Sequence, residues 1–152
     1  MTEREREVRQ MSGQALAYLG DNVIELCVRS ALIGRGFSRS GEMNREALHY
    51  VSAQAQAEAI ERILPHLSEE EAGVFRRAKN MGHMQNVPKH ATAGQYRLAT
   101  GMEALFGYLY LCQSYTRIGE LFVIGYPDMA GLDLYLFGIH CSSEEAVGNA
   151  DA

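Results

Sequence analysis

Apolar residues recur at intervals of three and four along most of this sequence. After Ser12, a typical helix N-cap, the pattern continues to about residue 34 through Leu16, Leu19, Val23, Leu26 and Leu32. This spacing places apolar side chains on one face of a helix. No segment shows the alternation of apolar and polar residues that is typical of a half-buried strand. The sequence therefore predicts an all-α fold.

Similar signals predict about five or six helices in total. Further helices are expected over about residues 42–64, 68–79, 92–112 and 116–122, with Pro65 ending the first, a capping box at Ser68, and Thr116 capping the last. Residues 80–91 contain Gly82 and Pro88 and show no apolar period, so we expect a loop there. Residues 123–152 show no pattern that assigns a structure.

Length and composition limit the domain count. A chain of 152 residues with 47% hydrophobic residues can bury one sizeable core. We therefore predict one domain over residues 1–122 and a C-terminal tail over residues 123–152. Three widely spaced cysteines without a CxxC pair favour a reducing cytoplasm, and no apolar run approaches the roughly 20 residues of a membrane helix. A soluble, cytoplasmic protein is expected.

The formal charge of −5 hides a local basic stretch. Residues 123–152 hold five acids and no Lys or Arg, so residues 1–122 are neutral overall. No acidic residue occurs between Ala72 and Met102, a segment that contains Arg76, Arg77, Lys79, Lys89, Arg97, His83 and His90. Such a stretch either forms a solvated surface or contacts the phosphates of RNA.

Two carboxylates stand out because they occur inside the two most apolar predicted helices. Asp21 follows Gly20, and both are poor mid-helix residues. Glu103 lies between Gly101 and Gly107, which leave room for a close approach to the backbone. If the fold brings both carboxylates together, their repulsion would be relieved by a hard divalent cation such as Mg²⁺.

The spacing alone leaves other roles open for these acids. Asp21 could pair with an arginine, and Glu103 could lie on an exposed face. Glu25 could support a metal, although an i,i+4 ion pair with Arg29 is the favoured interpretation. The histidines lack metal-ligand spacing on a common helix, so we expect surface or RNA-contacting roles for them.

Several motifs resemble the ribonuclease III family. Leu19-Gly20-Asp21 resembles the family signature, in which the aspartate binds metal, and Glu103-Ala104-Leu105-Phe106-Gly107 resembles the second acidic motif, whose glutamate is a catalytic metal ligand. The intervening segments YVSAQAQA (50–57), RRAKN (76–80), VPK (87–89) and QYR (95–97) resemble the Mini-ribonuclease III subgroup. This subgroup is dimeric and lacks a double-stranded-RNA-binding domain.

The resemblance implies a function and a site. It implies a Mg²⁺-dependent, two-fold dimeric endoribonuclease that cleaves double-stranded RNA, leaves 5′-phosphate and 3′-hydroxyl ends, and matures precursor 23S ribosomal RNA. Asp21 and Glu103 are its expected catalytic metal ligands. Its expected RNA-binding residues are Arg76, Arg77, Lys79, Asn80, Lys89 and Arg97. A large-subunit ribosomal protein is an additional candidate partner.

Two positions depart from the larger enzymes of this family. Ala17 and Thr100 occupy places where those enzymes carry further acids, and Mini-ribonuclease III proteins also lack them. Helical spacing predicts that both face the metal, one turn before Asp21 and Glu103. The missing acids keep a second function open, a non-catalytic RNA-binding or ribonucleoprotein scaffold domain. A purely structural helical dimer is a third alternative, but it leaves the carboxylates and the basic stretch unexplained.

Overall fold

The architecture is entirely helical over the residues that the structure, a computed structural model, describes: 1–81 and 91–129. Seven α-helices follow one another along the chain, and 3₁₀ turns lie at Leu64–His66 and Pro127–Met129. The helices are α1 (Glu3–Arg9), α2 (Gly13–Gly34), α3 (Ser40–Val51), α4 (Ala53–Ile63), α5 (Glu69–Lys79), α6 (Ala93–Leu111) and α7 (Tyr115–Gly125).

Two of these helices were not separate elements in the sequence prediction. Thr2 and Glu5 form a capping box that begins α1, although the segment is almost entirely charged. The predicted helix over 42–64 is divided at Ser52, whose backbone is extended (φ −64°, ψ 154°) and whose hydroxyl accepts a hydrogen bond from the N–H of Ala55. The apolar period continues through this break, so periodicity alone did not show it. These two differences raise the helix count to seven.

The remaining helices follow the predicted order. Ser12 caps α2 and Ser68 begins α5 through a capping box, as predicted. Thr92, the predicted start of its helix, also forms a capping box and caps α6. The expected start of the final helix at Thr116 was wrong, because α7 follows Ser114 and runs to Gly125. The division into a domain and a tail at residues 122 and 123 stays a prediction, although the boundary falls inside α7. The expected loop lies mostly outside the described residues.

Helices α2 and α6 cross in direct backbone contact at the centre of the core. A Cβ atom on Gly20 would lie 1.5 Å from the carbonyl oxygen of Glu103, and one on Gly107 would lie 2.0 Å from that of Leu16. A side chain at either position would overlap the backbone of the other helix, so this close approach is possible only with glycine. Asp21 follows directly after this crossing, which brings it next to Glu103.

The other helices cover this pair. Ile60 and Ile63 of α4, Val74 and Phe75 of α5, and Ile118, Leu121 and Phe122 of α7 join the same buried cluster. At the end of α7, the hydroxyl of Tyr126 donates a 2.6 Å hydrogen bond to the carbonyl of Tyr50, which attaches this end to α3. In the part of the chain described, no helix is long and apolar enough to span a membrane.

Candidate active site

Asp21 and Glu103 lie close together at the crossing of α2 and α6. Asp21 is at the protein surface, and Glu103 is half-buried. Neither alternative role from the sequence is observed: among the described residues Asp21 forms no ion pair, and Glu103 lines a cavity rather than an exposed face. Glu25 instead pairs with Arg29, with 3.0 Å between Oε2 and Nε, as predicted.

The surroundings of both carboxyl groups disfavour their ionised forms. Burial and the nearby Asp21 raise the pKa of Glu103 to about 8. Partial burial and the nearby Glu25 raise the pKa of Asp21. Because burial and a neighbouring acid disfavour the ionised form of each carboxyl group, a cation bound beside Asp21 and Glu103 would offset these penalties. This is the electrostatic environment expected of a cation site.

The available ligands suit magnesium. Within residues 1–81 and 91–129, no group of three or more His, Cys, Asp and Glu side chains forms a ready metal site. Asp21 and Glu103 would offer two carboxylates to a metal ion, and water would complete its coordination. Mg²⁺ prefers oxygen ligands and usually keeps several waters, so a site with few protein ligands fits it.

A cavity of about 310 Å³ lies beside Glu103. Ala17 and Thr100 line it together with Glu103, and the Thr100 hydroxyl donates a 2.9 Å hydrogen bond to the carbonyl of Tyr96. That both residues face a metal ion stays a prediction. Each of these side chains is too small or too constrained to fill the space. The cavity therefore leaves room next to Glu103 for water and a phosphate group.

The predicted RNA-binding residues divide into two sets. Lys79 and Arg97 line the same cavity as Glu103. Arg76 and Arg77 are exposed further back on α5, and Arg77 donates a 3.4 Å hydrogen bond to the carbonyl of Met11. Asn80 is the exposed C-cap of α5. Lys89, His83 and His90 lie outside the described residues.

Packing of α5 on α6 brings Lys79 to the cavity. A Cβ atom on Gly101 would lie 2.6 Å from the Phe75 ring, so this glycine lets the ring pack directly on α6. Lys79 follows Phe75 by about one helical turn. The position of this cation relative to Glu103 therefore depends on the close approach at Gly101. The sequence indicated such an approach but not that Phe75 makes it.

Sequence reasoning missed three polar side chains at the cavity. Gln14, Tyr18 and Tyr96 also line it, and Tyr18 is 83% exposed. Gln14 and Tyr18 belong to the helical segment that carries the Asp21 motif, and Tyr96 to the QYR segment. Their proximity to these motifs was the available signal, but their side-chain directions follow only from the packing.

Comparison with known proteins matches residues 14–114 to the Ribonuclease III domain family. The chain is 45% identical over 107 residues to Mini-ribonuclease 3 of Symbiobacterium thermophilum, covering 70% of this chain and 81% of that protein. It is 40% identical over 118 residues to Mini-ribonuclease 3 of Enterococcus faecalis, covering 76% and 89%. The crystal structure of protein FN1578 from Fusobacterium nucleatum is 30% identical, has a TM-score of 0.72, and is matched over 80% of this chain and 97% of that one.

The matched segment extends from the first turn of α2 to the residue before α7, and it includes both carboxylates and the cavity. The fold is that of an all-α nuclease domain of the ribonuclease III class. Within that class, the chain belongs to the Mini-ribonuclease 3 family. This membership confirms the predicted fold and the predicted enzyme class, an endoribonuclease.

Proposed function

We propose that this protein is a magnesium-dependent endoribonuclease that cleaves double-stranded RNA with Asp21 and Glu103 as metal ligands. The observation that carries the proposal is the juxtaposition of these carboxylates, from two crossing helices, with a cavity that also receives Lys79 and Arg97. Opposite charges in one place suit a metal ion and a phosphodiester together. A basic stretch that only forms a solvated surface would not need to lie beside these carboxylates.

Each group in the site has a distinct task in phosphodiester hydrolysis. When bound there, magnesium supplies the charge that activates water and neutralises the scissile phosphate. Asp21 and Glu103 would hold it, while Lys79 and Arg97 attract the flanking phosphates. A-form RNA is recognised mainly through its shape, phosphates and 2′-hydroxyls, so this site needs few base contacts. The expected products carry 5′-phosphate and 3′-hydroxyl ends.

The decisive experiment measures cleavage of a long RNA duplex by the purified protein, with and without Mg²⁺. We expect Asp21→Asn and Glu103→Gln each to abolish cleavage while the protein stays folded and binds the duplex, because both changes remove charge with little change in shape. Glu25→Gln is the matched control, since it makes the same change one turn away on α2 and should preserve cleavage. Wild-type turnover by either site variant would refute the assignment. Binding without cleavage by the wild type would favour the non-catalytic scaffold.

The small residues at the cavity provide a test of the metal position. We expect Ala17→Glu combined with Thr100→Asp to tighten Mg²⁺ binding to the RNA-free protein, because both positions line the cavity next to Glu103. Calorimetric titration of both proteins with MgCl₂ measures this directly. If the folded double variant binds Mg²⁺ no more tightly than the wild type, these positions do not face the ion.

A two-fold dimer would supply a second active site for the second RNA strand. One face of α2 supports this, because Tyr18, Leu26 and Ile33 share it and are 83%, 43% and 66% exposed. We expect Leu26→Lys to convert the dimer to a monomer in sedimentation experiments. Leu48→Lys is the control, because Leu48 is an exposed leucine on α3 (63%). Dissociation by the control alone would place the interface on α3.

The natural substrate is proposed from the family resemblance. We expect precursor 23S ribosomal RNA in the cytoplasm to be the substrate, with a large-subunit ribosomal protein as an accessory partner. Mapping of 23S termini in cells that lack this protein should show unprocessed ends. Mature ends in such cells would indicate a different substrate.

A further inference from the structure

Helix α1 lies outside the segment that matches the ribonuclease III domain, yet it is attached to the catalytic domain. Val8 is buried in the common core, and Arg4 donates a hydrogen bond to the carbonyl of Leu111 at the end of α6. A capping box stabilises the start of the helix. The direction of α1 is therefore fixed relative to α5 and α6.

This attachment places Arg9 across α5. A Cβ atom on Gly73 would lie 3.1 Å from a terminal guanidinium nitrogen of Arg9, so the arginine lies directly over the glycine. Arg76, one turn further along α5, lines the same surface cavity of about 550 Å³ as Arg9. The hydrogen bond from Arg77 to Met11 connects α5 to the chain just beyond α1. Arg9 and Arg76 thus share one surface cavity, and Arg77 lies close to the chain that follows α1.

None of these three arginines forms an ion pair within the described parts of the chain. Glu69 and Glu70 line the same cavity as Arg9 and Arg76 but are not paired with either arginine. The guanidinium groups of Arg9 and Arg76 are therefore not engaged by these glutamates, and their donors are available to an external anion. Arginine is well suited to phosphate because its planar group offers several donors.

The position of Arg9 continues the row of cations that leads to the candidate active site. Gly73, beneath Arg9, is six residues before Lys79, or about 9 Å along the helix axis. Arg76 lies between them, and the spacing of three residues makes positions 73, 76 and 79 neighbours on the helix surface. Lys79 lines the cavity beside Glu103. Arg9, Arg76 and Lys79 therefore follow one another along α5 toward Glu103, and Arg77 lies beside this row.

We propose that Arg9 is an RNA-backbone contact of this enzyme, which α1 holds beside Arg76 and Arg77 so that the three extend the duplex-binding surface away from the catalytic cavity. This inference rests on the proposed function, since it takes double-stranded RNA as the ligand. It gives α1 a role in substrate binding in addition to its packing against the core.

The test measures the salt dependence of duplex RNA binding, in the Glu103→Gln background so that the RNA stays intact. We expect Arg9→Gln to weaken binding for all duplex sequences and to reduce the slope of log K against log[salt] by about 1 for each Arg9 that contacts a phosphate. Arg6→Gln is the matched control, because Arg6 is an exposed arginine in the same helical turn, and its guanidinium group donates a hydrogen bond to the Met1 carbonyl. It should leave the slope unchanged.

A second variant separates charge from folding. Arg9→Lys keeps the charge, so it should restore most of the salt slope, and circular dichroism should show equal helix content for both Arg9 variants. If Arg9→Gln and Arg6→Gln change the salt slope equally, the proposal for Arg9 is wrong. It is also wrong if neither variant changes the slope while neutralising Lys79 and Arg97 does. In both cases the protein still binds RNA, so the proposed function is not affected. If the wild-type protein does not bind duplex RNA, the proposed function fails and this inference fails with it.

Discussion

Gly20→Ala tests whether the contact between α2 and α6 positions Asp21 and Glu103, the proposed catalytic carboxylates. The added Cβ atom would lie 1.5 Å from the carbonyl oxygen of Glu103, 2.5 Å from its carbonyl carbon and 2.8 Å from the backbone nitrogen of Gly107. All three atoms belong to the backbone of α6, so no side-chain rotation relieves the clash. To reach the 3.4 Å lower limit of ordinary contact with the oxygen, the helices must separate by about 2 Å.

The expected cost follows from this displacement. Overpacking a core usually costs about 1–3 kcal/mol, and a clash with a helix backbone belongs at the upper end of that range. Alanine recovers roughly 1 kcal/mol relative to glycine through its helix propensity, which only partly offsets the clash. We expect a net loss of about 2 kcal/mol or more in the free energy of unfolding. Because an error of about 1 Å in positioning can cost about 100-fold in rate, cleavage should fall by at least that factor.

Urea unfolding and duplex cleavage, measured at the same protein concentration as the wild type, check both expectations. Gly41→Ala on α3 is the matched control, since the nearest atom to its added Cβ is the end of the Arg45 side chain at 3.8 Å. It should keep or slightly increase the stability and should preserve cleavage. A Gly20→Ala protein as stable and as active as Gly41→Ala would refute the proposed role of the helix crossing.

Two further predictions concern the scaffold around the site. Burial opposes ionisation of Glu71, but hydrogen bonds from Arg117 and Ser68 outweigh it and hold the pKa of Glu71 below its ordinary value. The stability from this depressed pKa is therefore present above the ordinary pKa of a glutamate, about 4.3, and is lost as the pH falls through the lowered pKa. Glu71→Gln should make the free energy of unfolding fall less on acidification. Urea unfolding of both proteins, from near-neutral pH down into the acid range, measures this. Tyr126→Phe leaves the buried carbonyl of Tyr50 without its 2.6 Å hydrogen bond, so thermal unfolding should show a loss of about 1–3 kcal/mol while cleavage persists; an unchanged melting temperature would contradict this.

The sequence alone determined the all-α class, most helix starts and the identity of the two unusual acids. Helical periodicity and side-chain caps act over a few residues, so Ser12, Ser68 and Thr92 could be assigned as helix starts without any tertiary information. Asp21 and Glu103 stood out because a carboxylate in an apolar helix needs a compensating partner. These features depend on residue type and spacing, which the sequence contains in full.

Only the tertiary structure decided which residues meet at the site. From the sequence, Gly20 was simply a poor helix former, but in the fold it allows the carbonyl of Glu103 to approach α2 directly. The basic stretch appeared continuous, yet packing brings Lys79 and Arg97 to the cavity and leaves Arg76 beside Arg9. Such contacts join residues far apart in the chain and depend on how whole helices cross. Local propensity and spacing therefore do not predict which residues meet.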